Sequence, residues 1–350
     1  MTAPLSIDVF TYDSSHAATL HTLVERAFSI APPHARPKDS REYLDYMQGP
    51  ANPGGPSIVA AATMDGICVG NISATPFRFT TRAGQRLCAY QLGSVAVDAR
   101  HQRQGIGGKL VRAITEHLAA IPDSFPYIYP NTRSDPVLRR AGYAAADDIP
   151  TYVLVPSKLS FATAAQGARL TDRRFGAWHI AQTDLAGIMA MADDWPAPRG
   201  TQPGFARDRD FFAWRFAGPG ADTRYRFLLC RAENGSDTFA AVLAHHVFSG
   251  FRFAVLVDLL SPAPMAHYGL ALKAAQVAGG LAAERFVYVN SNLPRLAQGA
   301  SAVSSSPLAV RVPDAVNPRP VRLLYFPRKG MALREEIDAG MAMTGDWMGF

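Results

Sequence analysis

The chain of 350 residues is long enough for two domains that each bury a hydrophobic core. Its 35 basic and 29 acidic side chains give a formal net charge of +6, and the arginines form no concentrated patch, so we expect no nucleic-acid partner. The 3 cysteines are far apart and form no Cys-x-x-Cys pair, which predicts neither a disulfide framework nor a metal site.

The N-terminal part predicts a short strand at 7–11, followed by a helix that carries Leu20 and Leu23 on one face. No basic segment with an apolar core precedes them, and no apolar run elsewhere is long enough to span a bilayer. We therefore expect a cytoplasmic protein without membrane contact. A Pro-rich stretch then leads to a short helix at 40–47, which bears Tyr43 and Tyr46.

Three β-rich segments follow at 57–64, 68–79 and 87–97, and they predict antiparallel strands. The dipeptide Asp65-Gly66 between the first two is a strong hairpin signal. The third of these strands would lead directly into a glycine-rich turn.

That turn is Gln102-Arg103-Gln104-Gly105-Ile106-Gly107-Gly108, and residues 109–118 continue it as an amphipathic helix. Glycines lack the Cβ atoms that keep a ligand away from backbone amides. A helix N-terminus also directs unpaired amides and the positive end of its dipole at anions. The turn therefore predicts a phosphate-binding loop, although its glycine spacing is that of neither a P-loop nor a dinucleotide fingerprint.

The order of strand, polar residues, glycines and helix resembles the acyl-CoA pyrophosphate loop of the GNAT superfamily of N-acetyltransferases. A second match follows the strand at 125–129, where Asn131 precedes a short helix and Gly142-Tyr143 opens the next strand. The resemblance implies acetyl-CoA or another acyl-CoA as co-substrate, and no metal. The residues that it implies for binding this co-substrate are Val95, Ala96, Val97, Gln102, Arg103, Gln104, Gly105, Ile106, Gly107, Gly108, Lys109 and Asn131.

The catalytic groups are less well marked. Where the family often has a Tyr that protonates the departing thiolate, this chain has Leu138, which cannot donate a proton. Tyr129 and Tyr127 are the candidate donors, although both also suit the core of the sheet. Ser94 could orient a water molecule for the acceptor amine, or be simply a small strand residue. The resemblance further implies backbone amides near Val95 and Val97 as donors to the polarised carbonyl.

The second half repeats this order of elements weakly, and Val257-Asp258 echoes Val97-Asp98. Its loop, 260–267, has two prolines and no glycine pair, which predicts poor CoA binding. We expect an α/β (α+β) fold of two GNAT-like domains, each a mixed, mostly antiparallel twisted sheet flanked by helices. The predicted division is a catalytic domain at 1–156, whose sheet is closed by Tyr152 to Leu154, a linker at 157–170 and a degenerate domain at 171–350.

The resemblance implies an N-acyltransferase, most simply an N-acetyltransferase, in which a small-molecule amine attacks the acyl-CoA directly. Two alternatives remain open. The acceptor could be a protein amine, which a shallow open groove would favour over an enclosed aromatic pocket. The protein could instead be a non-catalytic acyl-CoA-binding or scaffold protein, as Leu138 would allow. The sheets could also mediate a homodimer.

Overall fold

A computed structural model describes residues 4–28, 41–154, 173–193, 204–219, 224–248, 251–281, 286–290, 309–312 and 321–339. The Pro-rich stretch before the helix that bears Tyr43 and the predicted linker at 157–170 lie outside the described residues. In the described part of the chain, the strands form two eight-stranded sheets.

The first sheet is built mainly by the N-terminal half of the chain. Its strands are β1 (Ser6–Thr11), β2 (Ile58–Met64), β3 (Ile67–Thr80), β4 (Arg86–Val97), β5 (Ser124–Ile128), β6 (Ala144–Ala145), β10 (Gly204–Phe205) and β16 (Leu324–Tyr325). They are ordered β1-β2-β3-β4-β5-β16-β6, and β10 pairs with β3. Strands β1 to β4 are antiparallel, as predicted for β2 to β4, whereas β4 and β5 are parallel.

The second sheet is built mainly by the C-terminal half. Its strands are β7 (Thr151–Leu154), β8 (Arg173–Phe175), β9 (Trp178–Thr183), β11 (Tyr225–Ala232), β12 (Thr238–Phe248), β13 (Phe251–Leu260), β14 (Phe286–Asn290) and β15 (Ala309–Arg311). Their order is β15-β7-β14-β13-β12-β11-β9-β8. As in the first sheet, one parallel pair, here β13 with β14, interrupts the antiparallel pairing.

The helices divide the molecule into layers. They are α1 (Ala17–Phe28), α2 (Arg41–Gln48), α3 (Ile106–Ala119), α4 (Asp135–Arg140), α5 (Leu185–Asp193), α6 (Arg209–Ala217), α7 (Pro264–Leu281) and α8 (Leu333–Ala339). Helices α3 and α4 cover one face of the first sheet, and α7 covers one face of the second. No helix of the described chain is long and apolar enough to cross a membrane.

Helix α1 covers part of the other face of the first sheet. The rest of that face meets the remaining face of the second sheet in one apolar cluster, which we call the central core. The first sheet contributes Phe77, Phe125 and Tyr127, the second contributes Phe227 and Val255, and residues of α2, α5, α6 and α8 fill the space between them. The two halves of the chain therefore share a buried interior.

Local chemistry explains several of these elements. Asp65 and Gly66 both have positive φ, 53° and 71°, which suits a tight hairpin turn and explains the predicted dipeptide signal. Asp208 caps α6, because its side chain accepts a hydrogen bond from the Phe211 amide at 3.0 Å. The predicted fold class is confirmed, with the strand, helix and parallel strand unit present in both sheets.

One expectation about the first sheet is wrong. Residues Tyr152 to Leu154 do not close it, because β7 pairs with β14 and β15 of the second sheet. In the first sheet, β16 from the C-terminal part pairs with both β5 and β6, with Leu324 opposite Ile128 and Ala145. A short apolar strand can satisfy its backbone by pairing within either sheet, so its local pattern does not specify the sheet.

Candidate functional site

The first feature of the site is an open edge on β4. Strands β4 and β5 pair only from Cys88 opposite Ser124 to Gln91 opposite Tyr127. Beyond Gln91, β4 continues to Val97 with no pairing to β5 among the described residues. Backbone groups of this segment are therefore available to a guest that lies between the strands, and Val95 and Val97 are partly exposed there.

A β-bulge lies in the same segment. The pairing of β3 with β4 shifts from Ser73 opposite Gly93 to Asn71 opposite Ala96, so two residues of β4 face one of β3. Ser94 occupies this bulge with a φ of 49°, in the left-handed region that non-glycine residues rarely adopt. Such a conformation costs on the order of 1–3 kcal/mol, and it clusters at functional sites. Ser94 is therefore more than a small residue in a regular strand.

The glycine-rich turn follows β4 and ends at α3. Gly105 is the N-cap of α3 with a φ of 76°, and no side-chain hydrogen bond caps the helix. A Cβ atom added at Gly105, Gly107 or Gly108 would meet no atom within 4 Å. The first turn of α3 therefore has no side-chain cap, and open space adjoins its glycines. Of the basic side chains beside them, Arg103 and Lys109 are exposed.

Three hydrogen bonds hold the glycine-rich turn, and the residues that lead into it, at the end of β4. The Gln102 side chain donates from Nε2 to the Val97 carbonyl at 3.1 Å. Asp98 accepts from the Arg100 backbone amide at 3.0 Å and from the Arg100 guanidinium at 3.2 Å. Arg100 lowers the pKa of the buried Asp98 carboxyl to about 2. Sequence reasoning gave Asp98 no role, although an Asp that ends an apolar strand two residues before an Arg was a usable signal.

The two candidate tyrosines lie on the central-core side of the first sheet. Tyr127 is fully buried, and its ring centroid is 4.8 Å from that of Phe205. Tyr129 follows the end of β5 and is only partly buried, with its ring 6.0 Å from the Tyr127 ring. Leu138 is buried in the cluster under α3 and α4, on the opposite face of the sheet. The structure therefore does not bring either tyrosine to the side of Leu138.

Asn131 lies in the turn between β5 and α4. It is exposed, and its side-chain oxygen accepts from the amides of Arg133 and Ser134, each at 2.9 Å. This hydrogen bonding occupies the oxygen of the side chain and leaves its amide nitrogen as the donor for a ligand.

Both halves of the chain enclose the central-core side of the site. Tyr43 and Tyr46 of α2 pack in the central core, and the Tyr46 hydroxyl donates to the Trp214 carbonyl of α6 at 2.7 Å. The Trp214 ring lies 5.8 Å from Phe77 of β3. Trp214 is buried, and no local signal in the sequence could have placed it against α2.

The corresponding turn of the second sheet is closed. Only residues 261–263 separate β13 from α7. The Ser261 hydroxyl accepts from the Ala263 amide at 3.0 Å and lies 2.7 Å from Nδ1 of His267. Unlike the N-terminus of α3, that of α7 is therefore met by the side chains of its own turn.

Comparison with known proteins agrees with this geometry. Residues 11–146 match the model of a family described as an acetyltransferase (GNAT) domain. No curated protein matches the chain. The residues of the described chain also contain no group of three potential metal ligands.

Solved structures share the whole fold at low sequence identity. A probable N-acyltransferase of unknown function from Enterococcus faecalis is 15% identical with a TM-score of 0.61, covering 91% of this chain and 72% of that one. A GCN5-related N-acetyltransferase from Anabaena variabilis is 11% identical, with a TM-score of 0.60 and the same coverage of 91% and 72%. An N-myristoyltransferase from Saccharomyces cerevisiae, solved with myristoyl-CoA and inhibitors, is 10% identical with a TM-score of 0.53 and covers 92% and 80%.

Proposed function

We propose that the chain, whose residues 11–146 match the model of a GNAT acetyltransferase domain, transfers an acyl group from an acyl-CoA to the amine of a small molecule. The observation that carries the proposal is the uncapped, glycine-bearing N-terminus of α3 next to the open edge of β4. Glycine inside a helix costs about 0.8–1.0 kcal/mol relative to alanine. Gly107 and Gly108 have no crowded neighbour that would require them, so a ligand that approaches the backbone is the better explanation.

The binding residues follow from this arrangement. The amides of Ile106, Gly107 and Gly108 would hold the pyrophosphate of CoA, and Arg103 and Lys109 would add charge attraction. Arg103, Gln104 and Gly105 would shape the turn, which Gln102 ties to β4. Val95, Ala96 and Val97 would hydrogen-bond the arm of CoA along the open strand edge, and the Asn131 side-chain nitrogen would donate from the facing turn. Bound acyl-CoA would supply the activated acyl group.

The reaction needs a deprotonated amine, donors to the acyl carbonyl and a proton for the thiolate. Amides near Val95 and Val97 would be the carbonyl donors, because the bulge at Ser94 redirects the backbone there. The Ser94 hydroxyl would orient the amine or a water molecule. Between the candidate acids, we favour Tyr129 over Tyr127, since Tyr127 is enclosed by the core and Tyr129 lies beyond the last paired position of β5.

The enclosure of the site favours a small acceptor over a protein chain. Tyr43 is buried in the central core, and Phe205 of β10, which pairs with β3 in the first sheet, packs in the same core. An extended peptide would need an open groove at this place. The acyl chain is not specified by these contacts, so both short and long acyl-CoA molecules belong in the test.

The test is an assay of CoA release with a panel of primary amines, with mass spectrometry of the acylated product. Tyr129→Phe should lower kcat by about 10²-fold or more if its hydroxyl transfers a proton. Tyr152→Phe, which changes a tyrosine of the second sheet, is the matched control and should leave kcat unchanged. Absence of amine-dependent CoA release with acetyl-CoA and with myristoyl-CoA would favour the acyl-CoA-binding or scaffold alternative.

A further inference from the structure

Arg224, which directly precedes β11, places a guanidinium between two tyrosines at the junction of the halves. Its Cζ atom lies 4.6 Å from the centroid of the Tyr43 ring and 5.2 Å from that of the Tyr225 ring. Tyr43 belongs to α2, the helix that covers the proposed acceptor side of the site. A cation from the second half of the chain therefore contacts the acceptor side of the first.

The donors of this guanidinium are only partly used. Nη2 donates to the Pro219 carbonyl at 3.3 Å. Nε and Nη1 are buried and have no hydrogen-bond partner within the described residues. Buried donors that remain unsatisfied are costly, and cation–π contact does not replace a hydrogen-bond acceptor. The residue as a whole is partly exposed, so a guest would reach the buried donors from its exposed side after a local shift of the surrounding atoms.

The surroundings favour an anionic guest. Arg215 is buried and interacts with the same two tyrosines, Tyr43 and Tyr225. Asp258 is a buried carboxylate of this region, and Arg207 contacts it at 2.8 Å. The structure shows no ion pair between Arg224 and a described carboxylate. Positive charge in an interior of low dielectric attracts anions more strongly than it would in water.

We propose that Arg224 binds a carboxylate of the acceptor, so that the acceptor is an amine that also carries a carboxylate group, as an amino acid does. The inference rests on the proposed function, because it assigns the substrate class of the same site. A carboxylate matches the donor geometry of a guanidinium, and the tyrosines would hold that guanidinium in place. The aromatic walls of the central core suit an acceptor with an apolar side chain.

The test compares phenylalanine with 2-phenylethylamine, which lacks only the carboxylate group, with acetyl-CoA as donor. Wild-type protein should give the higher kcat/KM with phenylalanine. Arg224→Gln should lower this value by about tenfold to a hundredfold for phenylalanine while changing 2-phenylethylamine little, because only the former loses a charged hydrogen bond. Arg226→Gln is the matched control, since Arg226 lies two residues away and donates to Ala278 of α7 instead. It should affect neither acceptor.

An equal loss for both acceptors, or no loss for either, would overturn the inference and assign Arg224 a packing role. If neither amine is acetylated, calorimetric titration with N-acetylphenylalanine and with N-acetyl-2-phenylethylamine decides the question without turnover. Binding of the carboxylate compound alone, lost in Arg224→Gln, supports the inference even where the proposed function fails. Absence of binding by both compounds, or equal binding, contradicts it.

Discussion

Asp98 shows how one buried carboxylate prepares the candidate site. It joins the end of β4 to the glycine-rich turn through Arg100, and Arg26 lies 3.7 Å away. Replacement by Asn keeps the shape and removes the charge. We predict that Asp98→Asn lowers the free energy of unfolding by about 1–3 kcal/mol near neutral pH, as measured by urea denaturation. Asp8→Asn, at an exposed position of β1, is the control and should change stability by no more than about 0.5 kcal/mol.

The effect of Asp98 should depend on pH in a definite direction. Its pKa is about 2 in the folded protein, against 3.8 for an unperturbed aspartate, so folding favours the charged form. The stabilisation is complete above the unfolded value and is lost as pH falls through the folded one. Urea curves at about pH 5 and about pH 2.5 should therefore show a smaller gap between wild type and Asp98→Asn at the lower pH. A gap that stays constant would mean that the charge of Asp98 contributes nothing.

The buried thiol of Cys230 gives a second prediction at this scale. Burial raises its pKa to about 12, and the residue is 0% exposed. Thiolate is the reactive form, so native protein at mildly alkaline pH should label Cys230 only as fast as it unfolds. Mass spectrometry of peptides after treatment with a thiol reagent, with and without urea, measures this directly. Rapid labelling of Cys230 in native protein would show that the apolar cluster between α7 and the second sheet opens readily.

At the scale of elements, α3 packs well against the first sheet, but the glycines of its first turn have low helix propensity. Leu110, Ile114 and Leu118 are buried against the first sheet, while Gly107 and Gly108 weaken the helix start. We predict that Gly108→Ala raises the free energy of unfolding by up to about 1 kcal/mol and weakens acetyl-CoA binding. Gly105→Ala should instead lower stability by about 1–2 kcal/mol, because its φ of 76° disfavours a Cβ atom. Urea denaturation of both variants measures the free energy of unfolding. Calorimetric titration of both variants with acetyl-CoA measures the effect on binding.

The segment from β2 to α3 shows which parts of the fold could be predicted from the sequence. Apolar spacing and turn residues are local signals, so β2, β3, β4 and α3 could be located from them, as could β13 and α7. Which sheet receives β7 or β16 depends on contacts between distant parts of the chain, so it had to come from the structure. The glycine-rich turn could be located for the same local reason. Arg224 could not be linked to Tyr43, because no short motif contains both.

At the scale of the whole molecule, the exchange of strands ties the two halves together. The predicted division at 157–170 separates β16 from β5 and β6, and it separates β7 from β14. We predict that a fragment of residues 1–156 does not unfold cooperatively on its own, because its central-core face, with Phe77 and Phe125, would be exposed. Circular dichroism during urea denaturation of each fragment, alone and after co-expression, tests this. A 1–156 fragment as stable as the intact protein would contradict it.

The shared interior also explains why a degenerate half would be retained. The second half supplies Phe205, Trp214 and Arg224 to the surroundings of the proposed acceptor site, although the N-terminus of its own α7 is closed. One half would then bind the acyl-CoA and both would enclose the acceptor. Substitutions in α6 and β11 could therefore change the acceptor specificity without any change in the glycine-rich turn.

The central claim is that the N-terminus of α3 binds acyl-CoA, and calorimetric titration with acetyl-CoA tests it most directly. Gly107→Asp places a negative charge among the proposed phosphate ligands, and Gly107→Asn adds the same bulk without the charge. An acidic residue in a first helical turn stabilises the helix by about 0.3–1 kcal/mol, so unfolding does not explain a loss of binding. We predict binding by wild type, weaker binding by Gly107→Asn and none by Gly107→Asp. Unchanged binding by Gly107→Asp, or no binding of acetyl-CoA and myristoyl-CoA by wild type, would contradict the account.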